Sequence, residues 1–190
     1  VDVAQERTEK RHELTVAELI KLWLEEGCIH KKPSTLATDK SYALHHIGPL
    51  IGSELIGSLS RADVERMHRD VEAGKTAKTM KTGPRGLSRI RGGKGAANRC
   101  LANVGAAFSF AQERGLIVSN PTKGIRKFKL ESHERYLTRE EIKRLWGVLD
   151  AVEVEGGNIY AISAVRVILL TGCRRGEVLG LKWSYVDFER

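Results

Sequence analysis

A chain of 190 residues is long enough for one ordinary domain, or for one small domain and part of a second. Its 41% hydrophobic and 29% charged residues are typical of a folded globular protein and exclude a disordered one. The net charge of +8 favours a polyanionic partner, nucleic acid above all, although such a charge can also serve solubility alone.

The chain carries no pattern typical of a membrane segment, a secretory signal or a metal site. No apolar run approaches the ~20 residues that span a bilayer, and the charged residues 1–12 do not resemble a secretory signal. Three cysteines, Cys28, Cys100 and Cys173, lie far apart, without a Cys-x-x-Cys pair or a histidine at zinc-ligand spacing. We therefore expect a cytoplasmic protein without a metal or a cofactor, in which Cys100 and Cys173 pack as small apolar side chains.

Two helices are predicted in the first 50 residues. A capping-box sequence at residues 15–18 starts the first helix, an apolar stripe follows at spacings of three and four, and Gly27 ends it. The second helix is predicted to begin at Ser34-Thr35 and to end at Gly48-Pro49. Because the adjacent side chains of His45-His46 point in different directions, we expect surface positions for them rather than a shared ligand.

The middle of the chain combines two further helices with a strongly basic segment. A second capping box, at residues 60–63, starts one of these helices. Eight lysines and arginines follow within residues 75–99 without an acidic residue among them, and interspersed glycines predict a flexible loop or a short hairpin there. The clearest helical periodicity in the chain runs over residues 96–114 and predicts a helix capped by Gly115.

The last third of the chain predicts a linker and the start of a second domain. Residues 122–135 lack apolar periodicity, and a third capping box at 138–141 starts the next helix. Residues 159–170 are apolar on nearly every face, which predicts a helix buried on several sides in a domain larger than the residues remaining here. Residues 183–188 predict a β-strand without a downstream partner, so we expect this piece to self-associate or to pack abnormally.

The strongest functional signal lies in residues 171–189, TGCRRGEVLGLKWSYVDFE. The guanidinium of Arg174 is always charged, and its planar fork fits two phosphate oxygens, so it suits the negative charge of a reacting phosphate. Gly172 permits a sharp turn before it, and a following helix start would aim backbone N–H groups at the same anion. The alternative is that Arg174 and Glu177, three residues apart, form only a surface ion pair.

This segment resembles the first catalytic box of the tyrosine recombinases, the phage integrase family, which reads Thr-Gly-x-Arg-x-x-Glu and then Trp-x-x-hydrophobic-Asp. Residues 13–121 resemble the family's SAM-like helical core-binding domain, and residues 136–190 the N-terminal part of its α+β catalytic domain. The resemblance implies a mainly α chain with a tail at 1–12 and a linker at 122–135. The residues that match the box are Thr171, Gly172, Arg174, Glu177, Leu181, Trp183, Val186 and Asp187.

The resemblance implies site-specific DNA recombination, with Arg174 as a catalytic residue and Glu177 as its support. It also implies a tyrosine nucleophile that forms a 3′-phosphotyrosyl link, a lysine on a β-hairpin and a His-x-x-Arg box. None of the six histidines has an arginine three positions later, and the four tyrosines precede the expected position or lie in another context. We therefore expect this chain alone to bind DNA without cutting it.

Two regions are expected to contact DNA because they match groove-facing and phosphate-facing parts of the family's core-binding domain. Serine, threonine and lysine suit phosphates, and asparagine and arginine suit base edges; the alternative is a solvated basic face. The expected partners are double-stranded DNA and other integrase protomers. The candidate DNA-binding residues are Lys32, Ser34, Thr35, Lys94, Asn98 and Arg99.

Two other functions compete with the recombinase. The chain could be a stand-alone helical DNA-binding module without catalytic activity, or an RNA-binding protein that uses its Arg/Gly-containing segment as a tether. The segment around Arg174 that matches the catalytic box, here called the arginine box (residues 171–187), favours the enzyme. The missing tyrosine favours the binding module. In each case residues 13–121 should form a four-to-five-helix unit, because amphipathic helices must bury their apolar stripes against each other. The side chains predicted to meet in its core are Leu19, Trp23, Leu44, Val104 and Phe108.

Overall fold

The computed structural model describes residues 13–132, 134–187 and 189, and the predicted tail over residues 1–12 lies outside them. Internal contacts divide the chain into two units, with the boundary between Glu131 and Ser132. The predicted mainly α fold is confirmed: helices make up most of the described chain, together with a two-stranded sheet.

The first unit is a helical bundle with a hairpin between its two longest helices. Its helices α4 and α5 pack against each other, and α1 and α2 each continue into a π-helical turn. The elements are α1 (Val16–Leu22) with the turn Trp23–Gly27, α2 (Pro33–Tyr42) with the turn Ala43–Ile47, α3 (Gly48–Ile51), α4 (Arg61–Glu72), β1 (Lys78–Lys81), β2 (Leu87–Ile90) and α5 (Lys94–Glu113).

Local sequence signals account for the helix ends. The capping boxes at residues 15–18, 60–63 and 138–141 all carry both reciprocal hydrogen bonds between the capping side chain and the third helical residue. After α5, Gly115 adopts a φ of 73° and its N–H donates to the carbonyl of Gln112, as expected for a glycine cap. These features need no distant partner, which is why the sequence predicts them.

The core of the first unit forms where α1, α4 and α5 meet. Leu19, Trp23, Val104 and Phe108 were predicted to be buried together, and each is no more than 4% exposed within one apolar cluster. Burial of a large apolar side chain stabilises a fold by about 1.5–3 kcal/mol, so this cluster is the main source of stability in the unit.

The end of the second helix differs from its prediction because the chain makes a π turn there. The turn Ala43–Ile47 presents His46 and Ile47 to the core, so Leu44, which was predicted to be buried, is 69% exposed. Gly48 also does not end the helix as predicted: its N–H donates to the carbonyl of Ala43, and α3 follows directly.

His46 is a buried side chain rather than the predicted surface residue. It is 3% exposed, and its Nδ1 lies 2.5 Å from Oγ1 of Thr76, at the base of the hairpin. Burial lowers the pKa of His46, and the nearby positive charges of His45 and Lys78 lower it further. The neutral imidazole therefore joins α2 to the segment that enters β1.

This burial predicts a pH-dependent stability. Because the pKa of His46 is lower in the folded protein than the ordinary value of 6.5, its stabilising contribution is present above that value and is lost as the pH falls through the folded-state pKa. We expect the Tm of the first unit to fall from about pH 7.5 to about pH 5, and to fall less in a His46→Gln variant, as measured by calorimetry. The exposed His30 provides the control, since His30→Gln should keep the parental pH profile. Identical profiles for the parent and His46→Gln would contradict the prediction.

The basic segment forms the hairpin that was predicted as one of two possibilities. Strands β1 and β2 are antiparallel, with Lys78 opposite Ile90 and Lys81 opposite Leu87. Apart from Ile90, the residues of both strands are exposed. The glycines at the two ends of the loop and after β2 keep this segment out of a helix.

Part of the predicted linker lies on the first unit. Ile125 and Phe128 pack against its core, and the ring of Phe128 stacks on His68 with 4.3 Å between the ring centres. Residues 122–128 therefore have fixed contacts with α4 and α5, although their sequence lacks helical periodicity.

The second unit contains three helices and a short 3₁₀ turn. An ion-pair cluster joins α6 to α7, since the guanidinium of Arg166 lies 2.6 Å from both Asp150 and Glu153. The elements are α6 (Arg139–Val154), α7 (Ile159–Thr171), α8 (Arg175–Leu179) and the turn Trp183–Tyr185. Within the described residues, no helix of either unit is long and apolar enough to cross a membrane.

Two expectations for the second unit are wrong, and a third agrees with the structure. Helix α7 was predicted to be covered only in a domain larger than these residues, and in the described chain Ile162 is its only buried residue. Residues 183–185 form a turn and 186–187 have no regular structure, instead of the predicted strand, because no described segment pairs with them and an isolated strand has no ladder to stabilise it; Phe188 lies outside the described residues. Cys173, predicted to be packed, is exposed, whereas Cys28 and Cys100 are buried.

Candidate functional site

A buried carboxylate joins the two regions that were predicted to contact DNA. Asp39 on α2 is fully buried, and its two oxygens accept hydrogen bonds from Nζ of Lys31 at 2.7 Å and from the guanidinium of Arg99 at 3.1 Å. The ammonium of Lys31 also lies 4.2 Å from the ring centre of Trp23, a cation–π contact. A buried carboxylate requires such partners, so Asp39 fixes the turn before α2 against the second turn of α5.

The candidate residues beside this carboxylate present polar groups to solvent. Lys32, Ser34 and Lys94 are exposed and Thr35 is half-buried. Arg99 keeps 45% of its side chain exposed despite its contact with Asp39, and only one of its guanidinium nitrogens is used in that contact. Lys31 was not predicted as a site residue, although it precedes Lys32 in the same basic turn.

Asn98 is occupied by contacts within the protein. Its Oδ1 accepts a hydrogen bond from the N–H of Phe128 at 2.9 Å and lies 3.1 Å from Nε2 of His68. Its Nδ2 donates to the carbonyl of Phe128 at 2.8 Å. These hydrogen bonds occupy the amide edge that an asparagine presents to adenine. The contact of Asn98 with DNA stays a prediction.

The arginine box lies at the turn between α7 and α8. Gly172 adopts a left-handed φ of 68°, which ends α7 and places Arg174 directly before α8. The backbone N–H of Arg174 donates to Oε2 of Glu177 at 2.9 Å, and its guanidinium donates to Oε1 at 3.0 Å. Both carboxylate oxygens of Glu177 thus contact Arg174, one at its backbone and one at its guanidinium.

Solvent exposure decides how strong this ion pair is. The side chains of Arg174 and Glu177 are 89% and 55% exposed. Exposed pairs contribute only about 0–1 kcal/mol, so a phosphate that approaches Arg174 can use its remaining N–H groups without a large loss elsewhere. The surface ion pair and the phosphate site are therefore compatible roles for the same residues.

Sequence comparisons relate the chain to recombinases. A tyrosine recombinase XerC-like protein of Caldanaerobacter subterraneus subsp. tengcongensis is 26% identical over 191 residues, which cover 94% of this chain and 42% of the relative. A putative defective protein IntQ of Escherichia coli is 34% identical over 95 residues, 48% of this chain and 22% of the relative. The chain thus spans less than half the length of either relative. No protein-family model matches it.

Solved integrase structures share the fold. A lambda integrase dimer bound to a COC' core site matches with a TM-score of 0.71 at 16% identity, over 98% of this chain and 47% of that one. A Tn1549 transposon integrase in complex with circular intermediate DNA matches with a TM-score of 0.64 at 21% identity, over 93% of this chain and 52% of that one. At these identities the likeness establishes the fold.

Proposed function

Because the chain is related to the tyrosine recombinases, the phage integrase family indicated by its arginine box, we propose that it acts in site-specific DNA recombination and integration. In this proposal it supplies a DNA-binding helical unit and the first catalytic arginine of the reaction, in the cytoplasm and without a cofactor. The observation that carries the proposal is the contact of Lys31 and Arg99 with Asp39, which unites two distant basic segments on one surface.

This surface binds duplex DNA mainly through its phosphates. Lys32, Ser34 and Thr35 offer an ammonium, two hydroxyls and the backbone of a turn, all groups suited to phosphate oxygens. Lys94 opens α5 and Arg99 lies in its second turn, about 7.5 Å further along the helix axis, so both long side chains extend from the same end of the helix. Asn98 contributes by fixing α5 to residues 122–128.

Arg174 acts on the scissile phosphate. In the transesterification, the hydroxyl of a tyrosine loses its proton as its oxygen bonds to phosphorus, the bond to the 5′ oxygen breaks, and that oxygen takes up one proton to leave as a hydroxyl, so that the protons balance. Negative charge grows on the non-bridging oxygens during this exchange, and a guanidinium placed beside them stabilises it. Glu177 keeps the guanidinium oriented until the phosphate arrives.

The chain by itself binds DNA but does not cleave it in this proposal. Within residues 1–190, no histidine has an arginine three positions later, and none of the four tyrosines lies in the context expected of the nucleophile. Two of the related structures carry DNA together with a lambda integrase dimer or tetramer, so further protomers are the proposed protein partners.

A stand-alone DNA-binding module is the second candidate, because the basic surface around Asp39 needs no catalytic residue to bind DNA. The two candidates share the DNA-binding surface and differ only in the role of Arg174. A reading frame that continues beyond Arg190 into a His-x-x-Arg sequence and a tyrosine decides for the recombinase.

The test of DNA binding is its dependence on salt. We expect the chain to bind duplex DNA with an affinity that falls steeply as salt rises, because each neutralised phosphate releases condensed counterion. Replacing both Lys94 and Arg99 by alanine should weaken binding by about tenfold, or ~1.4 kcal/mol, and flatten the slope of log Kd against log salt by about one unit for each phosphate that is no longer neutralised. Fluorescence anisotropy over a salt series measures both quantities.

The matched control removes an arginine from α4. Arg66 is exposed and already paired with Asp63, so Arg66→Ala lowers the net charge without touching the proposed surface. An equal effect of Arg66→Ala would show that DNA binding depends on the overall charge of the chain rather than on the proposed surface. A parent chain without salt-sensitive DNA binding would exclude both candidate functions.

A further inference from the structure

The hairpin β1–β2 forms an arm with unpaired cationic side chains. None of the candidate DNA-binding residues lies in this arm. Its basic side chains are all exposed, and no ion pair among the described residues involves any of them. The nearest lysine along the chain, Lys75, is paired with Asp70. The side chains concerned are those of Lys78, Lys81, Arg85, Arg89 and Arg91.

The base of this hairpin is fixed to the bundle on both sides. After β2, the N–H of Gly93 donates to the carbonyls of Val71 and Glu72, both at 3.1 Å. Gly92 lies so close to the end of α4 that a Cβ there would approach the carbonyl oxygen of Val71 to 2.3 Å. Before β1, Thr76 contacts His46 of the turn Ala43–Ile47. The arm therefore has a set position beside the start of α5.

The strand register sorts the side chains onto two faces. Residues directly opposite each other share a face, so Lys78 and Ile90 lie on one, and the Thr79–Arg89 and Lys81–Leu87 pairs lie on the other. The face with the buried Ile90 is turned towards the bundle at its base. On the other face Lys81 and Arg89 are diagonal neighbours, whose Cα atoms are about 7–8 Å apart in such sheets.

We propose that this outer face is a second DNA-contacting element, which binds backbone phosphates of the duplex next to the stretch held by α5. The inference rests on the proposed DNA-binding function and deepens it. A two-stranded ribbon has the width of a major groove. This one contains no asparagine or glutamine for reading adenine, and its cationic groups have no acidic partners among the described residues. We assign its cationic groups to phosphates, and binding to two duplexes of unrelated sequence distinguishes this role from recognition of guanine by its arginines.

The experiment compares a hairpin variant with the control Arg66→Gln. We expect Lys81→Gln combined with Arg89→Gln to raise the Kd for duplex DNA by about tenfold and to reduce the salt slope by about two units. The weakening should be the same on two duplexes of unrelated sequence, because phosphates carry no sequence information. Binding of an RNA duplex should stay weaker than binding of DNA in the parent chain. Circular dichroism and the Tm report whether the variant is folded.

The possible outcomes separate this inference from the proposed function. If the parent binds DNA and is weakened by the Lys94 and Arg99 replacements but not by the hairpin variant, the hairpin inference is overturned and the proposed function stands. A weakening confined to one duplex sequence overturns phosphate binding by the hairpin, and so does tighter binding of the RNA duplex. Should the variant misfold, acetylation footprinting of the parent replaces it: DNA must protect Lys81 more strongly than Lys143 of the second unit, and an unprotected Lys81 overturns the inference.

Discussion

Replacing Arg174 by alanine in a full-length recombinase that carries this chain is expected to lower covalent complex formation at least about 100-fold. Removal of one group that stabilises a charged transition state typically costs a factor of about 100–1,000 in rate. Among the described residues, the side chain of Arg174 pairs with Glu177 in an exposed contact, so its removal leaves the surrounding fold intact. The phosphotyrosyl product on a nicked suicide substrate, separated by denaturing gel electrophoresis, measures the decrease.

The neighbouring Arg175 is the matched control for this prediction. It has the same charge, is also exposed and has no counterpart in the box, so Arg175→Ala should retain most of the parental rate. DNA affinity of the Arg174→Ala variant should stay close to that of the parent, because one contact among many adds little to ground-state binding. Near-parental formation of the covalent adduct by Arg174→Ala would remove the catalytic assignment.

Replacing Asp39 by alanine should lower the stability of the first unit by about 3 kcal/mol. Removing one partner of a buried ion pair generally costs about 3–5 kcal/mol because an uncompensated charge is left behind. We expect the lower end, since Lys31 and Arg99 are 33% and 45% exposed and can turn towards water. Urea unfolding, followed by a probe of the first unit such as Trp23, measures the shift in the midpoint.

The control is a carboxylate with a similar but exposed partner. Asp70 pairs with Lys75, whose side chain is 62% exposed, and Asp70→Ala should cost less than about 1 kcal/mol. DNA binding gives a second readout, since loss of Asp39 frees the turn at Lys31 from α5. Comparable stability losses for Asp39→Ala and Asp70→Ala would show that the buried carboxylate does not join these segments.

The features that the sequence predicted are those settled within a few residues. A capping box needs only a threonine or serine and a carboxylate three positions later, and the three boxes formed as predicted. An apolar stripe at helical spacing likewise identifies the face of the helix that will be buried, so Leu19 and Phe108 were predicted in the core without knowledge of their partners. The resemblance of the arginine box pointed to the family for a similar reason, because its residues are contiguous.

Where prediction failed, the deciding partner lay elsewhere in the chain. The π turn that exposes Leu44 also places His46 against Thr76, 30 residues away. Among the described residues, no strand lies beside 183–187, so the strand predicted from their pattern did not form.

The sequence by itself determined the helices, their caps, the apolar core and the basic character of residues 75–99. Only the tertiary structure decided which polar side chains serve the fold and which face solvent. Asp39 meets Arg99 across 60 residues, and Asn98 is held by Phe128 across 30. Burial of a polar group is favourable only when a partner satisfies it, and that partner is fixed by chain packing rather than by local sequence. In the same way, only the structure shows that the cationic side chains of the hairpin are exposed and have no acidic partners among the described residues.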